Sequence, residues 1–248
     1  MAVNPEWFQD WFNSPYYHKL YFERDEEEAA AFLKRLLLHL KPLPNSRMLD
    51  VACGMGRHSL LLSNEGFDVT GIDISHDSIA VARKWENDHL HFLQHDMRLP
   101  FYINYFHYAF NFFTSFGYFN TDREHYNGIR TIAQSLRKGG LFVVDYLNVH
   151  FAIDHFVHKE EKMINNINYS ITRWYDEKHF FKKIIVEDET QEIPFEFTEK
   201  VARFTLGDFN DMFSFHQLQV QEFFGDYSFN AYDFRKSPRL ILSARKIN

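Results

Sequence analysis

Three aspartates and two glycines stand at spacings that bind ligands. The segment Asp50-Val51-Ala52-Cys53-Gly54-Met55-Gly56 follows a short apolar run, and a Ser-Leu-Leu-Leu run succeeds it at 59–62. That order predicts a buried strand, a tight glycine turn and the start of a helix. Gly54 and Gly56 supply positive φ and let a ligand approach the backbone. The helix start would turn free N–H groups toward a pocket, and Gly66 falls where the helix's C′ glycine belongs. Asp73 ends a second apolar strand about 20 residues after the glycines, the spacing at which a carboxylate accepts from both hydroxyls of a ribose. The pair of features points to an adenosine-bearing cofactor. Ser59 occupies the third-glycine position of a dinucleotide fingerprint, which argues against pyrophosphate binding. Asp50 then places a carboxylate where a cationic amino-acid end could sit. Asp96-Met97-Arg98 closes a third strand run, 90–95, just before Pro100.

The elements that must hold these groups follow in order. Residues 1–24 are dense in rings, among them Trp7, Phe8, Trp11, Phe12, Tyr16, Tyr17 and Tyr21, and read as amphipathic pieces laid over the glycine turn. Asp25 is placed to cap a helix, with Glu28 in the capping-box position; Phe32, Leu33, Leu36, Leu37 and Leu40 share its apolar face, and Pro42 ends it. Ser75 caps the helix after Asp73, and Ile79, Ala82 and Trp85 can face the core. A strand over 105–113 leads to Asn111-Phe112-Phe113-Thr114-Ser115-Phe116-Gly117-Tyr118, which lies beside the site if ligands bind outside the C-terminal strand ends. Thr121 and Glu124 form a capping box for a helix presenting Tyr126, Ile129, Ile132, Ala133 and Leu136, which Lys138-Gly139-Gly140 stops. Residues 141–145 form the next buried strand. From about 160 to 204 the period changes to two, with runs at 168–174, 180–187 and 195–204. A helix at 206–215 and strands at 218–224 and 239–245 complete the chain.

The run Leu49 to Ser59, with Gly66-Phe67-Asp68-Val69-Thr70-Gly71-Ile72-Asp73-Ile74-Ser75 behind it, resembles class I S-adenosylmethionine-dependent methyltransferases. Gly56-Arg57-His58-Ser59 is similar to the tellurite-resistance branch, and Ser115-Phe116-Gly117 to glycine N-methyltransferase-like small-molecule enzymes. The resemblance implies an α/β fold: a Rossmann-like, doubly wound, seven-stranded and mostly parallel sheet carrying an inserted antiparallel β lid. It implies S-adenosylmethionine as cofactor, S-adenosylhomocysteine as product, and direct displacement onto a small-molecule acceptor. On that basis the chain is one methyltransferase domain over 1–248, with an aromatic flap and helix at 1–41, the core at 42–155 and 205–248, and the β-subdomain at 156–204. The implied cofactor residues are Asp50, Ala52, Cys53, Gly54, Gly56 and Arg57 around the turn, Asp73 and Ile74, Asp96 and Met97 at the adenine, Phe112 and Phe113, and Tyr17, Tyr21 and Arg24 on the flap. Aromatic faces there suit a sulfonium cation. Ser115, Tyr118 and Tyr16 are the acceptor candidates; His150, Tyr146 and Asp145 are the first candidates for a base, with His18 behind them. Where many members open the fourth strand with Asp, this chain has His107, which reads as fold support.

Composition bounds the alternatives. The net charge of −7 disfavours a phosphate backbone as partner. The single cysteine, Cys53, precludes an internal disulfide and fits a cytoplasmic protein; in the turn it reads as a small filler. The N-terminus is acidic and aromatic, unlike a signal peptide, and no apolar run is long enough to span a membrane. No Cys cluster or His-Glu-x-x-His motif supports a metal. A monomer or homodimer is expected. Two rival readings use the same fold: an NAD-type oxidoreductase, and a non-catalytic cofactor-binding or partner subunit.

Overall fold

Side-chain alternation along the central strands divides the apolar residues between two cores. The computed structural model describes residues 7–21 and 26–248; the expected roles of Arg24 and of Asp25 as a cap lie outside the described residues. Its main sheet contains β1 (Arg47–Val51), β2 (Asp68–Asp73), β3 (Leu90–Gln94), β4 (Phe106–Asn111) and β5 (Leu136–Leu147), with β10 (Leu218–Phe224) and β11 (Arg239–Lys246) at one edge. The spatial order is β10-β11-β5-β4-β1-β2-β3, parallel from β5 to β3, with β11 antiparallel to both β5 and β10. This is the Rossmann-like sheet the resemblance implies. Leu49, Val144 and Leu242 pack with α6 (Asp122–Ser135) and α8 (Leu206–Phe215); Met48, Val143 and Ile241 pack with α3 (Glu26–Leu40), α4 (Arg57–Asn64) and α5 (His76–Ala82). Successive residues point to opposite faces of a strand, so each strand feeds both cores. Strand order reverses between β1 and β4, and ligands bind outside the C-terminal strand ends at such a switch point.

A third core lies outside this sheet. Strands β6 (Lys159–Ile164), β7 (Ile167–Tyr175), β8 (His179–Asp188) and β9 (Phe195–Ala202) form an antiparallel sheet in sequence order. Its inner face, Tyr169, Ile171, Ile184 and Val186, packs on Trp7, Phe8, Trp11, Tyr16 and Leu20 of α1 (Trp7–Phe12) and α2 (Pro15–Tyr21). The flap and the lid are therefore one packed body.

Local signals match the observed boundaries well. Thr121 and Glu124 make a reciprocal capping box, and Ser75 caps α5. Gly66, at φ 89°, donates to Ser63 O while Phe67 donates to Leu62 O, the paired bonds of a helix-ending Schellman turn. His107 does support the fold: its Nδ1 accepts from the Arg47 amide at 3.0 Å and pins β4 to β1. Two expectations are corrected, and two elements are added. Helix α6 stops at Ser135, and the Gly139-Gly140 pair instead makes a bulge inside β5. Trp85 sits in a short 3₁₀ turn and is half exposed, because α5 ends at Ala82. Strand β6 and helix α7 (Val149–Asp154) were not foreseen: β6 is a mostly exposed, polar edge strand with no alternation to read, and α7 has only six residues. The Asn165-Asn166 turn, both residues at positive φ, does carry a two-residue hairpin signal.

Candidate active site

The turn after β1 carries constraints at three alternate positions. Ala52, Gly54 and Gly56 all have positive φ, at 59°, 57° and 82°. The two glycines serve different ends. A Cβ on Gly54 would meet nothing within 4 Å, so its face is open to the cavity beside it. A Cβ on Gly56 would lie 2.5 Å from the Phe92 ring, so that position serves packing of α4 on the sheet. Cys53 is a buried filler; its Sγ would stand 2.9 Å from a Cβ on Gly71.

Asp73 is aimed by backbone amides. Its Oδ2 accepts from Gly54 N–H and its Oδ1 from Ser75 N–H, each at 2.8 Å. Burial pushes its carboxyl up from the ordinary value, and those amides oppose the rise. Asp50 lies beneath the turn rather than in the cavity, and its Oδ2 accepts from the Ser59 hydroxyl at 2.6 Å. The residue in place of a third glycine is thus the partner of the strand carboxylate. Burial raises the Asp50 carboxyl to about 7, with the Ser59 hydroxyl opposing. A carboxyl raised in the folded state adds stability that is present below its unfolded value near 4 and is lost as pH rises toward 7. Asp50→Asn is therefore expected to gain stability relative to the parent protein between pH 5 and pH 8. Urea unfolding of both at those two pH values measures this; buried histidines such as His58 and His125 are common to both proteins and cancel. A pH-independent difference would contradict the assignment.

Asp96 is held by a fork. Arg98 Nε lies 3.1 and 3.0 Å from its two oxygens, and Nη2 lies 2.6 Å from Oδ2. Arg98 Nη1 reaches Glu124 Oε1 at 2.5 Å, so the capping residue of α6 also braces the end of β3. The guanidinium lies 5.5 Å from the Phe8 ring centre and 5.0 Å from that of Phe119, which ties the flap to this corner. Thr131 donates its hydroxyl to Met97 O. On the other side of the turn, Ser75 donates to Asn13 Oδ1 at 2.8 Å, a second tether of the flap.

One cavity gathers most of these groups. Of the residues expected to hold cofactor, Ala52, Gly54, Asp73, Ile74, Asp96, Met97 and Tyr17 line it, and so do Ser115 and Tyr118 from the acceptor set. Phe8, Phe12 and Phe119 line it as well, although spacing did not single them out. For Phe8 and Phe12 the signal is the ring density of the flap; Phe119, just before the α6 cap, carries none. Asp50, Cys53, Gly56, Arg57, Phe112 and Phe113 lie outside the lining and support the turn from behind; Arg57 sits over the Phe113 ring at 5.1 Å. Tyr16 and Tyr21 face the lid, bonding Asp188 at 3.1 Å and Glu199 at 2.6 Å. The lined space combines a central amide-held carboxylate, a second carboxylate at one end and aromatic walls. It suits a ligand with vicinal hydroxyls, a flat heterocycle and a cationic centre.

The expected bases fall elsewhere. Tyr146 is fully buried, donates to Ala202 O at 2.6 Å, and burial holds its phenol well above the ordinary value. Asp145 is also fully buried: Oδ2 accepts from Phe113 N–H at 2.9 Å and Tyr227 O–H at 3.0 Å, and Oδ1 from Arg239 at 2.7 Å. It steadies Phe113 and Thr114, both in the left-handed region at φ 56° and 59°. His150 is exposed and lines a separate cavity with His125 and Asp208. His18 does not line the first cavity. Among the described residues, no helix is long and apolar enough to cross a membrane.

Comparison with known proteins adds family context. A family described as "Methyltransferase domain" matches residues 48–140. The dTDP-3-amino-3,4,6-trideoxy-alpha-D-glucopyranose N,N-dimethyltransferase of Streptomyces venezuelae is 37% identical over 101 residues, covering 40% of this chain and 42% of its own. Glycine N-methyltransferase of Rattus norvegicus is 28% identical over 152 residues, covering 54% of this chain and 52% of its own. The chain thus spans about half or less of the length of the curated relatives it matches. An S-adenosylmethionine-dependent methyltransferase from Clostridium acetobutylicum ATCC 824 shares the fold, with a TM-score of 0.78 at 14% identity over 94% of this chain and 96% of that one.

Proposed function

From the premise that residues 48–140 are a methyltransferase domain, we propose that the protein transfers the methyl group of S-adenosylmethionine to a small-molecule acceptor by direct displacement. The observation that carries this reading is Asp73, held by the Gly54 and Ser75 amides and lining a cavity outside the parallel strand ends. The residues present fit the cofactor. Asp73 would offer its remaining lone pairs to ribose hydroxyls, Ile74, Asp96 and Met97 would hold the adenine, and the open face of Gly54 would admit the amino-acid end. Phe12, Tyr17 and Tyr118 surround the remaining space. When bound, the cofactor supplies a methyl carbon already activated by a sulfonium. What is left to the chain is to align the acceptor, exclude water and surround a cation with ring faces. Both relatives described above are named for transfer to nitrogen, which favours a small amine-bearing acceptor over a macromolecule.

Calorimetric titration with S-adenosylhomocysteine tests the reading, with NAD as control. Micromolar binding of the first and none of the second is expected. Binding of NAD alone would replace the reading with that of an oxidoreductase. The Ser59–Asp50 bond, standing where a dinucleotide turn needs its third glycine, weighs against that outcome.

A further inference from the structure

A second, mostly apolar cavity opens between α7 and the lid sheet. Ala152 and Phe156 stand on one side, Phe180 and Val201 on the other, and Lys182 and Glu199 at its polar end. Lys182 of β8 and Glu199 of β9 are direct cross-strand partners. Glu199 is only 8% exposed, and its Oε1 already accepts from Trp11 Nε1 at 2.7 Å and from Tyr21 O–H at 2.6 Å. Lys182 donates to the Tyr21 hydroxyl, and its Nζ forms an ion pair with Glu199 Oε2 at 3.8 Å. Among the described residues Oε2 accepts no hydrogen bond, so beside its ion pair with Lys182 the polar end presents a carboxylate oxygen whose complement is a donor. The two cavities approach each other across one pair of rings. Tyr21 bonds Glu199, its ring centre is 4.9 Å from that of Tyr17, and Tyr17 lines the first cavity.

We propose that this second cleft receives the methyl acceptor, that the acceptor is an amine on an apolar carrier, and that Glu199 Oε2 holds its nucleophilic nitrogen. The proposal rests on the methyl-transfer reading above. In the transfer, the nitrogen lone pair forms the new N–C bond and the C–S bonding pair leaves with sulfur. The positive charge passes from sulfur to nitrogen, whose hydrogens stay in place until the product gives one to water. A carboxylate facing those N–H groups is worth more as that charge develops, so it favours the transition state over the bound amine. A hydroxyl acceptor would instead have to shed its proton during attack, for which a carboxylate is a weak base. Transfer requires the Tyr17–Tyr21 pair to part, and both rings belong to α2.

The test titrates 2-phenylethylamine, benzylamine and cyclohexylmethylamine into protein saturated with S-adenosylhomocysteine, with 2-phenylethanol as the uncharged control. It compares the parent protein with Glu199→Gln, which keeps an acceptor for Trp11 and Tyr21, and with Ala152→Trp, which fills the cleft from α7. At least one amine is expected to bind the parent protein and to outbind the alcohol by about tenfold or more. Glu199→Gln should weaken it about tenfold, and Ala152→Trp should abolish it. The affinity for S-adenosylhomocysteine should stay within about twofold in both variants. Absence of amine binding, or amine binding unmoved by either variant, overturns the proposal while leaving the cofactor reading intact. Absence of S-adenosylhomocysteine binding overturns the cofactor reading, and this proposal with it.

Discussion

Asp145→Ala is expected to destabilise the folded chain by about 3–5 kcal/mol, because it strands the Arg239 guanidinium in the interior without its counter-charge. Ordinary domains are stable by only about 5–15 kcal/mol, so the variant sits near the edge of folding. The loss has more than one source. The same carboxylate accepts from the Phe113 amide and the Tyr227 hydroxyl, and both half-buried donors would lose their acceptor. Removing both charges tests the cause. Asp145→Leu combined with Arg239→Met should recover most of the loss, since replacing a buried pair with apolar residues of similar volume is often neutral or better. Urea unfolding of the single and double variants decides it. A single variant within about 0.5 kcal/mol of the parent would show that the pair is not held as described. The same set of variants separates support from chemistry, because a double variant that folds and still binds S-adenosylhomocysteine assigns Asp145 to the scaffold.

Asp73→Ala is expected to weaken S-adenosylhomocysteine by roughly 1.5–3 kcal/mol, or about ten- to 150-fold, the scale of a lost charge-assisted hydrogen bond. Two effects act together. The ribose loses its acceptor, and the Gly54 and Ser75 amides lose the group that fixes the turn. Asp73→Asn divides them, because its carbonyl oxygen can still accept from one amide while the charge is gone. It should fall between the parent and Asp73→Ala. Calorimetry on folded variants measures both, and unchanged affinity in Asp73→Ala would end the ribose assignment.

What could be read from the chain was local or periodic. The turn at 52–56, the Thr121–Glu124 box and the Asp73 and Asp96 strand ends each depend on neighbours in sequence, and general rules for parallel sheets put those strand ends at one crevice. The alternating lid strands were legible for the same reason. The candidates for a base were misplaced because chain position gives the end of a strand but not the face a side chain takes. Tyr146 and Asp145 are successive residues of β5, so one joins the core under α6 and α8 while the other turns to the opposite face. Asp145 meets Arg239, a partner 94 residues away that only the pairing of β11 with β5 supplies. Glu199 illustrates the same limit, since its donors Trp11 and Tyr21 come from the other end of the chain.

That last contact sets an order for synthesis. Trp11 and Glu199 are 188 residues apart, so at about 5–20 residues per second the flap waits roughly 10–40 s for its partner strand. Until then Trp7, Phe8, Trp11, Tyr16 and Leu20 have no inner face of the lid sheet to cover them. The flap leaves the ribosome well before the strand it docks on. The nascent chain therefore carries an adhesive aromatic segment while the intervening residues are made, a demand on chaperones that the finished fold conceals.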